Sequence, residues 1–314
     1  MKKAKFLMIA AVCATFGFGI ASCNDDDDDN GVVIPSPEVS DFGGNRLVSV
    51  GGTNFSYNTD GTLRQIEEYG NKLVFDYSKS TVTGYFDGET QTATFTTDKN
   101  GYVTGLNTSL SGMDEGVEYK ADVCWDICYN AAGHITEAAL TQVYTDVSSK
   151  ETEVTDIAWK LTWNGDLLTA REVTGKTEYS NGEEPEQWNS KVIFSYDNAI
   201  ENRYMQYTDG IINAIDFDGD IESPMFVGLL GKGPSKYPSA IENIEDQYSE
   251  TEIYEYTLND KGLLEREKNT YLDYSNYIDY TYSSGSRAIV PAAGSESVKP
   301  MKNRRHISLF GRSK

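Results

Sequence analysis

The stretch Phe55–Leu63, FSYNTDGTL, decides the fold because related stretches return along the chain. Full copies are FTTDKNGYV at Phe95–Val103, ICYNAAGHI at Ile127–Ile135 and YTLNDKGLL at Tyr256–Leu264. Each has an apolar residue six positions before a glycine, an Asn or Asp between them, and an apolar residue two positions after the glycine. Altered copies are LTWNGDLL at Leu161–Leu168 and FSYDNAI at Phe194–Ile200. The turns recur about every 32 residues, with a final gap of nearly two periods.

The repeated unit is typical of a β-hairpin. Asn or Asp near a Gly supplies the positive φ that tight hairpin turns require, and the flanking residues alternate between apolar and polar. A unit of about 32 residues has room for two strands of roughly ten residues and two turns. We therefore predict an all-β chain, an antiparallel meander of roughly a dozen or more strands in one curved or closed sheet.

The long final gap contains SPMFVGLLGKGPSKYPSAI at Ser223–Ile241, which has no hairpin pattern. Its first half is apolar, and the Gly-Lys-Gly-Pro and Tyr-Pro steps then interrupt any regular element. We predict one short helix near residues 223–231 that plugs or caps one end of the sheet. The apolar run just before it, at Ile211–Ile215, is interpreted as a strand.

Charged residues occur on both faces of the predicted strands. In TEIYEYTL, at Thr251–Leu258, one face carries Glu255 and the other carries Glu252. In the following stretch, LLEREKNTYL, glutamates occupy one face and basic residues the other. A lipid-facing strand needs one uninterrupted apolar face. We therefore predict a water-soluble sheet.

The first 22 residues are typical of an export signal. Three lysines precede an uncharged apolar run at residues 6–20, which is too short to span a bilayer as a helix. Ala21 and Ser22, both small, then precede Cys23. The segment resembles the lipobox of bacterial lipoproteins, which implies that Cys23 carries acyl chains as the mature N-terminus. The alternative is an ordinary secretory signal with an incidental cysteine.

A run of five carboxylates begins two residues after Cys23, formed by Asp25, Asp26, Asp27, Asp28 and Asp29. Like charges repel one another, so such a run extends and avoids anionic head groups. The run also resembles the surface-export signal of Bacteroidetes lipoproteins. That resemblance implies the outer face of the outer membrane, and the alternative is a solvated tether facing the periplasm.

The composition divides the chain into four parts. We predict a signal peptide at 1–22, a lipidated acidic tether at 23–42, a β-hairpin domain at 43–285 and a basic, disordered tail at 286–314. The net charge of −22 includes +3 from residues 1–22 and +6 from residues 287–314, which leaves −31 between them. Such acidity argues against nucleic acid as a partner. We expect a monomer that meets the membrane through its lipid anchor only.

A resemblance to a known family covers most of the hairpin domain. The lipobox-like segment, the serial hairpins and the late stretch LLGKGPSKYPSAI at 229–241 resemble an uncharacterised Bacteroidetes lipoprotein family, a domain of unknown function with a porin-like β fold. The hairpin units also resemble the tyrosine/aspartate/glycine repeats of large bacterial surface and toxin proteins. That lipoprotein family has no assigned activity, so the resemblance implies an architecture and no chemistry. The basic tail departs from the family's pattern.

No catalytic centre stands out in the sequence. His134 occupies a repeat position held elsewhere by Thr62, Tyr102, Asp166 and Leu263, so we expect it to be exposed and replaceable. Carboxylates are so numerous that a hydrolase built on two of them stays open, although no pair is singled out. We predict no catalytic residue and no cofactor, and the balance favours a protein that is not an enzyme.

Two motifs contain residue types that bind metals. Cys124 and Cys128 share a strand face about 13 Å apart, too far for a disulfide between them, and we expect buried free thiols. The string DFDGDIE places Asp216, Asp218 and Asp220 at alternate positions, as at the start of a calcium loop. The sixth position is Ile221, where such a loop needs glycine, so a polar turn is the favoured interpretation and no metal is predicted.

Aromatic residues suggest a binding function. Exposed aromatic rings on a rigid sheet stack well on sugars, and the tryptophans that could do so are Trp125, Trp159, Trp163 and Trp188. Core packing is the favoured alternative for these side chains. The leading prediction is a surface-anchored outer-membrane lipoprotein that binds a glycan, a peptide or a cell-surface protein as an accessory module. The alternatives are a carboxylate-based hydrolase and a structural or adhesive cell-surface protein.

Overall fold

The computed structural model describes residues 41–284, except 69, 87–88, 115, 218–222 and 246–247. Cys23, the run Asp25–Asp29 and the basic tail at 286–314 lie outside the described residues. Lipidation of Cys23, the export role of the aspartates and the boundaries of the four predicted parts therefore stay predictions.

The described residues form sixteen strands in one closed barrel. The strands are β1 (Asn45–Val50), β2 (Thr53–Tyr57), β3 (Leu63–Glu68), β4 (Asn71–Asp76), β5 (Thr81–Phe86), β6 (Glu89–Thr97), β7 (Val103–Asp114), β8 (Val117–Tyr129), β9 (Ile135–Asp146), β10 (Thr152–Asn164), β11 (Leu167–Tyr179), β12 (Glu186–Ser195), β13 (Ala240–Glu245), β14 (Tyr248–Leu258), β15 (Leu264–Tyr271) and β16 (Tyr274–Ser284). Helix α1 (Asp209–Ile215) and a 3-10 helix (Ser223–Val227) lie between β12 and β13.

Each strand pairs antiparallel with its neighbours in sequence, and β1 closes the barrel by pairing with β16. Closure satisfies the backbone donors and acceptors that an open sheet would leave along its first and last strands. The predicted all-β fold, an antiparallel meander of a dozen or more strands in a porin-like sheet, is confirmed. None of the helices among the described residues has the length and apolarity needed to cross a membrane.

The repeated glycines lie in the turns that the sequence predicts. Gly61, Gly101, Gly133 and Gly262 have φ values of 92°, 83°, 87° and 75°. In the turn before β9, Asn130 accepts the Gly133 N–H on its carbonyl oxygen at 2.9 Å. A side chain bearing a Cβ is strained at such φ values, which explains why glycine recurs at this point of the unit.

Side chains alternate between the inside and the outside of the barrel. On β8 the apolar residues Val123, Trp125 and Ile127 are buried, whereas Asp122 and Asp126 between them are exposed. Successive residues of a strand point to opposite faces, so the apolar set faces inward and the acidic set faces outward. Cys124 on β8 is a thiol, as expected, but it is half-buried rather than buried, whereas Cys128 on the same strand is buried.

A sixteen-stranded barrel is too wide for the side chains of its own wall to fill. The connection between β12 and β13 fills part of it, and we call its described residues, 196–217 and 223–239, the plug. Phe217 contacts Trp125 and Trp159 inside the wall, with ring centroids 6.0 and 5.5 Å apart. On the other side of the barrel, the rings of Phe226 and Phe55 lie 6.2 Å apart. The plug thereby joins the two sides of the wall in one apolar core.

Two expectations about this segment can be compared with the structure. The short helix predicted near 223–231, to plug or cap one end of the sheet, is the 3-10 helix Ser223–Val227, and its side chains pack in the core of the barrel. The strand interpretation of Ile211–Ile215 is wrong, because these residues belong to α1. Thr208 caps this helix by accepting the Ile211 N–H on its side-chain oxygen, which favours helical over extended backbone at this point.

The two ends of the barrel differ. The glycine turns, residue 41, residue 284 and both ends of the plug lie at one end, which we call the turn end. The opposite end, which we call the open end, carries the links that follow β3, β9, β11 and β15. Strands β7 to β11 have 12 or 13 residues, whereas β1 to β5 have five or six. The wall is therefore tall on the β7–β12 side and low on the β1–β5 side.

Candidate functional site

The C-terminal residues of α1 and the two residues after it, Asp216 and Phe217, form a floor inside the barrel. Arg171 of β11 is buried, and its Nε donates to the carbonyl oxygens of Ala214 at 2.9 Å and Ile215 at 3.0 Å. Trp159 of β10 donates from Nε1 to the Asp216 carbonyl oxygen at 3.0 Å. These bonds satisfy carbonyl groups that a helix end leaves without partners. They also fix the depth of the plug at the level of Trp159 in the wall.

The Asp216 side chain lies on this floor. It is 73% exposed to solvent, yet desolvation raises the pKa of Asp216, and the nearby Arg171 guanidinium only partly opposes that rise. On the open-end side of this floor, β8 to β12 continue beyond the row of Trp159, and we call the space that these strands border the vestibule.

One aromatic platform of the vestibule is Trp188 of β12. Trp188 pairs with Gly175 of β11, two residues beyond the row in which Val173 pairs with Trp159. Gly175 is buried and faces inward, as do Val173 and Thr177 two residues on either side of it. A Cβ added to Gly175 would lie 2.0 Å from Cε2 of Trp188. The indole can lie against the wall only because residue 175 has no side chain. Trp188 is 40% exposed, and the exposed part of its side chain borders the vestibule.

A second platform lies on the same tall wall. Tyr119 of β8 pairs with Gly112 of β7, and a Cβ on that glycine would lie 2.9 Å from the tyrosine ring. Tyr119 also stacks on Tyr144 of β9, with centroids 5.3 Å apart and planes 20° from parallel. Both rings pack against the core and stay half-buried. An inward-facing glycine and a cross-strand aromatic ring thus occur twice in the vestibule.

Polar groups lie between and opposite the platforms. Gln142 and Thr155 pair with each other across β9 and β10, and Thr155 exchanges a hydrogen bond with Thr177 at 3.0 Å. Cross-strand pairing places further polar side chains on the inner face of β13 and β14, next to β12, among them Asn243 and Glu250. Amides, hydroxyls and carboxylates of this kind fix the orientation of a bound ligand.

The charges of the wall are segregated by face. On β11 and β12 the lysines point outward, where Lys176 contacts Glu178 and Lys191 contacts Glu172. Among the described strand residues that face the vestibule the charged groups are carboxylates, apart from the buried Arg171 beneath it. The electrostatic potential of the vestibule therefore disfavours anionic ligands.

A buried carboxylate holds the other end of α1. Glu267 of β15 is 2% exposed and accepts the Gly210 N–H at 2.8 Å and the Tyr280 hydroxyl at 2.9 Å. The Tyr280 oxygen in turn accepts the Asp209 N–H at 2.8 Å. Burial, together with the Asp209 carboxylate, raises the pKa of Glu267 to about 8. Glu267 and Arg171 thus anchor opposite ends of α1 to two strands of the wall, β15 and β11, which fixes the position of the floor.

The expectation for His134 is wrong. Its side chain is 0% exposed, its Nδ1 lies 3.0 Å from the Lys232 carbonyl oxygen, and its Nε2 lies 3.1 Å from Oδ1 of Asp166. Its ring stacks on Trp163 with centroids 4.0 Å apart. The position is buried in other copies too, at Thr62, Tyr102 and Leu263. Residue types vary at this position because each one contacts a different neighbour. His134 connects the turn before β9 to the plug through the Lys232 carbonyl group.

The four tryptophans have different environments. Trp125 and Trp159 are 1% and 2% exposed and stack on each other in the core, so neither is accessible to a ligand. Trp163 is half-buried and donates from Nε1 to the Ile135 carbonyl oxygen at 2.7 Å. Of the four predicted contacts, Trp188 alone lies in the vestibule. Mid-strand glycines were the overlooked signal, since a glycine inside a strand pattern often marks close approach by another group.

The described residues form no cluster of metal ligands, and the apolar cavity that they enclose is small. Asp216 faces Arg171, whereas Asp218 and Asp220 of the calcium string lie outside the described residues. In the part of the chain that the structure describes, no three His, Cys, Asp or Glu side chains come together as metal ligands. An apolar cavity of about 30 Å³ lies between the plug and β4–β8, lined by residues such as Phe75 and Leu230. Apolar walls of this kind favour an empty space, so we assign it no ligand.

The solved structures that are similar to this chain include two porin-like proteins. No family model and no curated protein matches the chain. The chain is similar to a porin-like protein from Bacteroides vulgatus ATCC 8482 at 17% identity and a TM-score of 0.47, covering 73% of this chain and 92% of that one. A porin-like protein from Bacteroides uniformis ATCC 8492 is similar at 16% identity and a TM-score of 0.27, covering 68% and 96%.

Proposed function

We propose that the protein is a cell-surface lipoprotein that binds its ligand in the vestibule at the open end of the barrel. One observation supports this above all: the tall wall of β7–β12 continues past the plug and presents the exposed Trp188 and the half-buried pair Tyr119 and Tyr144 above the floor. A barrel that served only to bury apolar surface would need neither the additional wall nor an accessible Trp188. Concave sites with a few convergent polar groups are where proteins bind small ligands and chain ends.

The proposed location at the cell surface is supported by the sequence and by the outer face of the barrel. The lipobox-like segment ending at Cys23 supplies an anchor, and the acidic run after it favours export to the exterior of the outer membrane. Outward positions carry charges, including Asp122 and Asp126 on β8 and Glu172 on β11. Charges on a lipid-facing surface cost several kcal/mol near the bilayer midplane, so this face favours a barrel in water. We accordingly propose a monomeric barrel held to the membrane by lipid.

One observation favours the adhesive alternative. Tyr248, Leu272 and Tyr274 are 80%, 76% and 74% exposed at the rim of the open end. Large apolar side chains at a rim also suit contact with another protein. A partner protein that binds through this rim would lose affinity when the three residues are replaced, and would be indifferent to the platform at Trp188.

Binding is tested with the full-length protein purified from membranes and screened against arrays of glycans and peptides. Any ligand found is then titrated against Trp188→Ala and Tyr144→Ala, and against Tyr85→Ala as a matched control. Tyr85 is a suitable control because it is 44% exposed and pairs with the outward-facing Lys72. We expect the first two variants to weaken binding and the control to leave it unchanged. Equal binding by all variants would place the ligand outside the vestibule and refute the proposal.

The anchor is tested by fractionation of cells. Cys23→Ala should release the protein from membranes and abolish labelling with palmitate. Replacement of Asp25–Asp29 by alanine should leave lipidation intact and reduce cleavage by protease added to whole cells. A Cys23→Ala protein that still fractionates with membranes and labels with palmitate would refute the anchor. Unchanged cleavage of the second variant would show that the run is a tether only.

A further inference from the structure

We infer that the ligand of the vestibule is an uncharged oligosaccharide chain that lies along the tall wall across both aromatic platforms. This inference rests on the proposed function and names the ligand class for the same site. It follows from the shape of the platforms, from the distance between them and from the charges around them.

Both platforms place a partly accessible aromatic ring over an inward-facing glycine. Gly175 and Gly112 lack the side chain that would otherwise lift Trp188 and Tyr119 away from the wall. The indole therefore lies along the wall, and Tyr119 lies beside the ring of Tyr144 in a stacked pair. An aromatic face is electron-rich, so it attracts the weakly positive C–H groups on the face of a sugar ring.

The distance between the platforms requires an elongated ligand. Tyr144 lies on β9 and Trp188 on β12, three strand spacings apart, or about 14 Å. Tyr144 lies in the same cross-strand row as Tyr179 of β11, because both pair with Glu153 of β10. Trp188 lies in the row of Gly175 of β11. These positions on β11 differ by four residues, about 13 Å along the strand, so the platforms are roughly 20 Å apart on the wall. A single sugar can contact one platform, and a chain of several sugars can contact both.

The groups between the platforms favour an uncharged chain. Directly between them lie Gln142 and Thr155, both half-buried and both able to donate and accept hydrogen bonds. Carboxylates also lie beside the platforms, because Glu153 pairs with Tyr144, and Glu186 pairs with Thr177 in the row of Gln142 and Thr155. They repel an anionic chain, and a cationic chain is the competing ligand that hexalysine tests. With no cation but the buried Arg171 among the described inward-facing side chains of this wall, a sulfated or uronic-acid chain would be repelled.

The test is calorimetric titration of the full-length protein with named probes. These are cellohexaose, xylohexaose and mannohexaose, their disaccharides, hexagalacturonic acid and hexalysine. We expect at least one neutral hexasaccharide to bind about tenfold or more tightly than its disaccharide, because only the longer chain contacts both platforms. Hexagalacturonic acid should not bind measurably.

Two variants place the chain on the wall. Trp188→Ala removes one platform, and Gly175→Ala keeps the indole but displaces it, since a Cβ would lie 2.0 Å from its ring. Either change should remove most of the advantage of the hexasaccharide over the disaccharide. Tyr144→Ala, at the other platform, is a second route to the same loss if a change at Trp188 prevents folding. Tyr85→Ala, on the outer face, should bind like the unmodified protein.

The outcomes separate this inference from the proposed function. Hexalysine or an array peptide that binds in a Trp188-dependent manner, without any neutral sugar binding, would overturn the ligand class and leave a vestibule-binding protein. A neutral sugar that binds all variants equally would overturn the placement on the platforms. If no array ligand or probe of any charge binds with a Kd below about 1 mM, both the inference and the proposed function fail.

Discussion

Replacing His134 by alanine should destabilise the protein strongly, although the repeat pattern alone predicts little effect. The change removes two hydrogen bonds of the buried ring, worth about 1 kcal/mol each. It also leaves the Lys232 carbonyl oxygen without this partner and ends the stack on Trp163, for a further 1 to 2 kcal/mol or so. We expect the free energy of unfolding to fall by about 3–4 kcal/mol.

The measurement is urea unfolding of the full-length protein, followed by tryptophan fluorescence and circular dichroism. Asp166→Ala is the matched control, because it removes one of the two bonds from a partner whose side chain is 48% exposed. Loss of a bond to an exposed carboxylate should cost about 1 kcal/mol or less. If His134→Ala lies within about 0.5 kcal/mol of the unmodified protein, the contacts of the ring do not stabilise the plug, and this reasoning is refuted.

Three further changes test the barrel and its plug. The pKa of Glu267, raised to about 8, means that stability from this group is fully present below about pH 4.5 and lost as pH rises through 8. Glu267→Gln should flatten the pH dependence of stability in that range, and an unchanged profile would contradict the buried carboxyl. Gly133→Val, at φ 87° with its Cβ 2.9 Å from the Tyr102 ring, should cost about 2 kcal/mol or more in urea unfolding. EDTA should leave the melting temperature unchanged. A large fall in melting temperature would instead support calcium binding at Asp216, Asp218 and Asp220.

The wall of the barrel is predictable from the sequence because its signals are local. Turn glycines such as Gly61 and Gly133 require positive φ, and the alternation beside them assigns the inner face. The plug is less predictable for the same reason. A short apolar run such as IINAI is ambiguous between strand and helix, and the cap at Thr208 was the local signal that favoured a helix.

The candidate site depends on facts that no short window contains. His134 and the Lys232 carbonyl are 98 residues apart in sequence, so the pattern of the repeat could not reveal their contact. Trp159 and Trp188 look alike in the sequence, each on a strand with alternating residues. Their difference in exposure follows from where α1 ends, because the floor lies at the level of Trp159 and below Trp188.

The position of β1 has a consequence for how the protein would sit on a cell. β1 begins at the turn end, and 17 residues lie between Cys23 and Asp41. Fully extended, such a segment spans at most roughly 60 Å. A lipid on Cys23 would therefore tether the barrel to the membrane by its turn end, where the plug begins and ends. The vestibule would then point away from the bilayer toward the surrounding medium, within reach of molecules too large to pass between neighbouring membrane proteins.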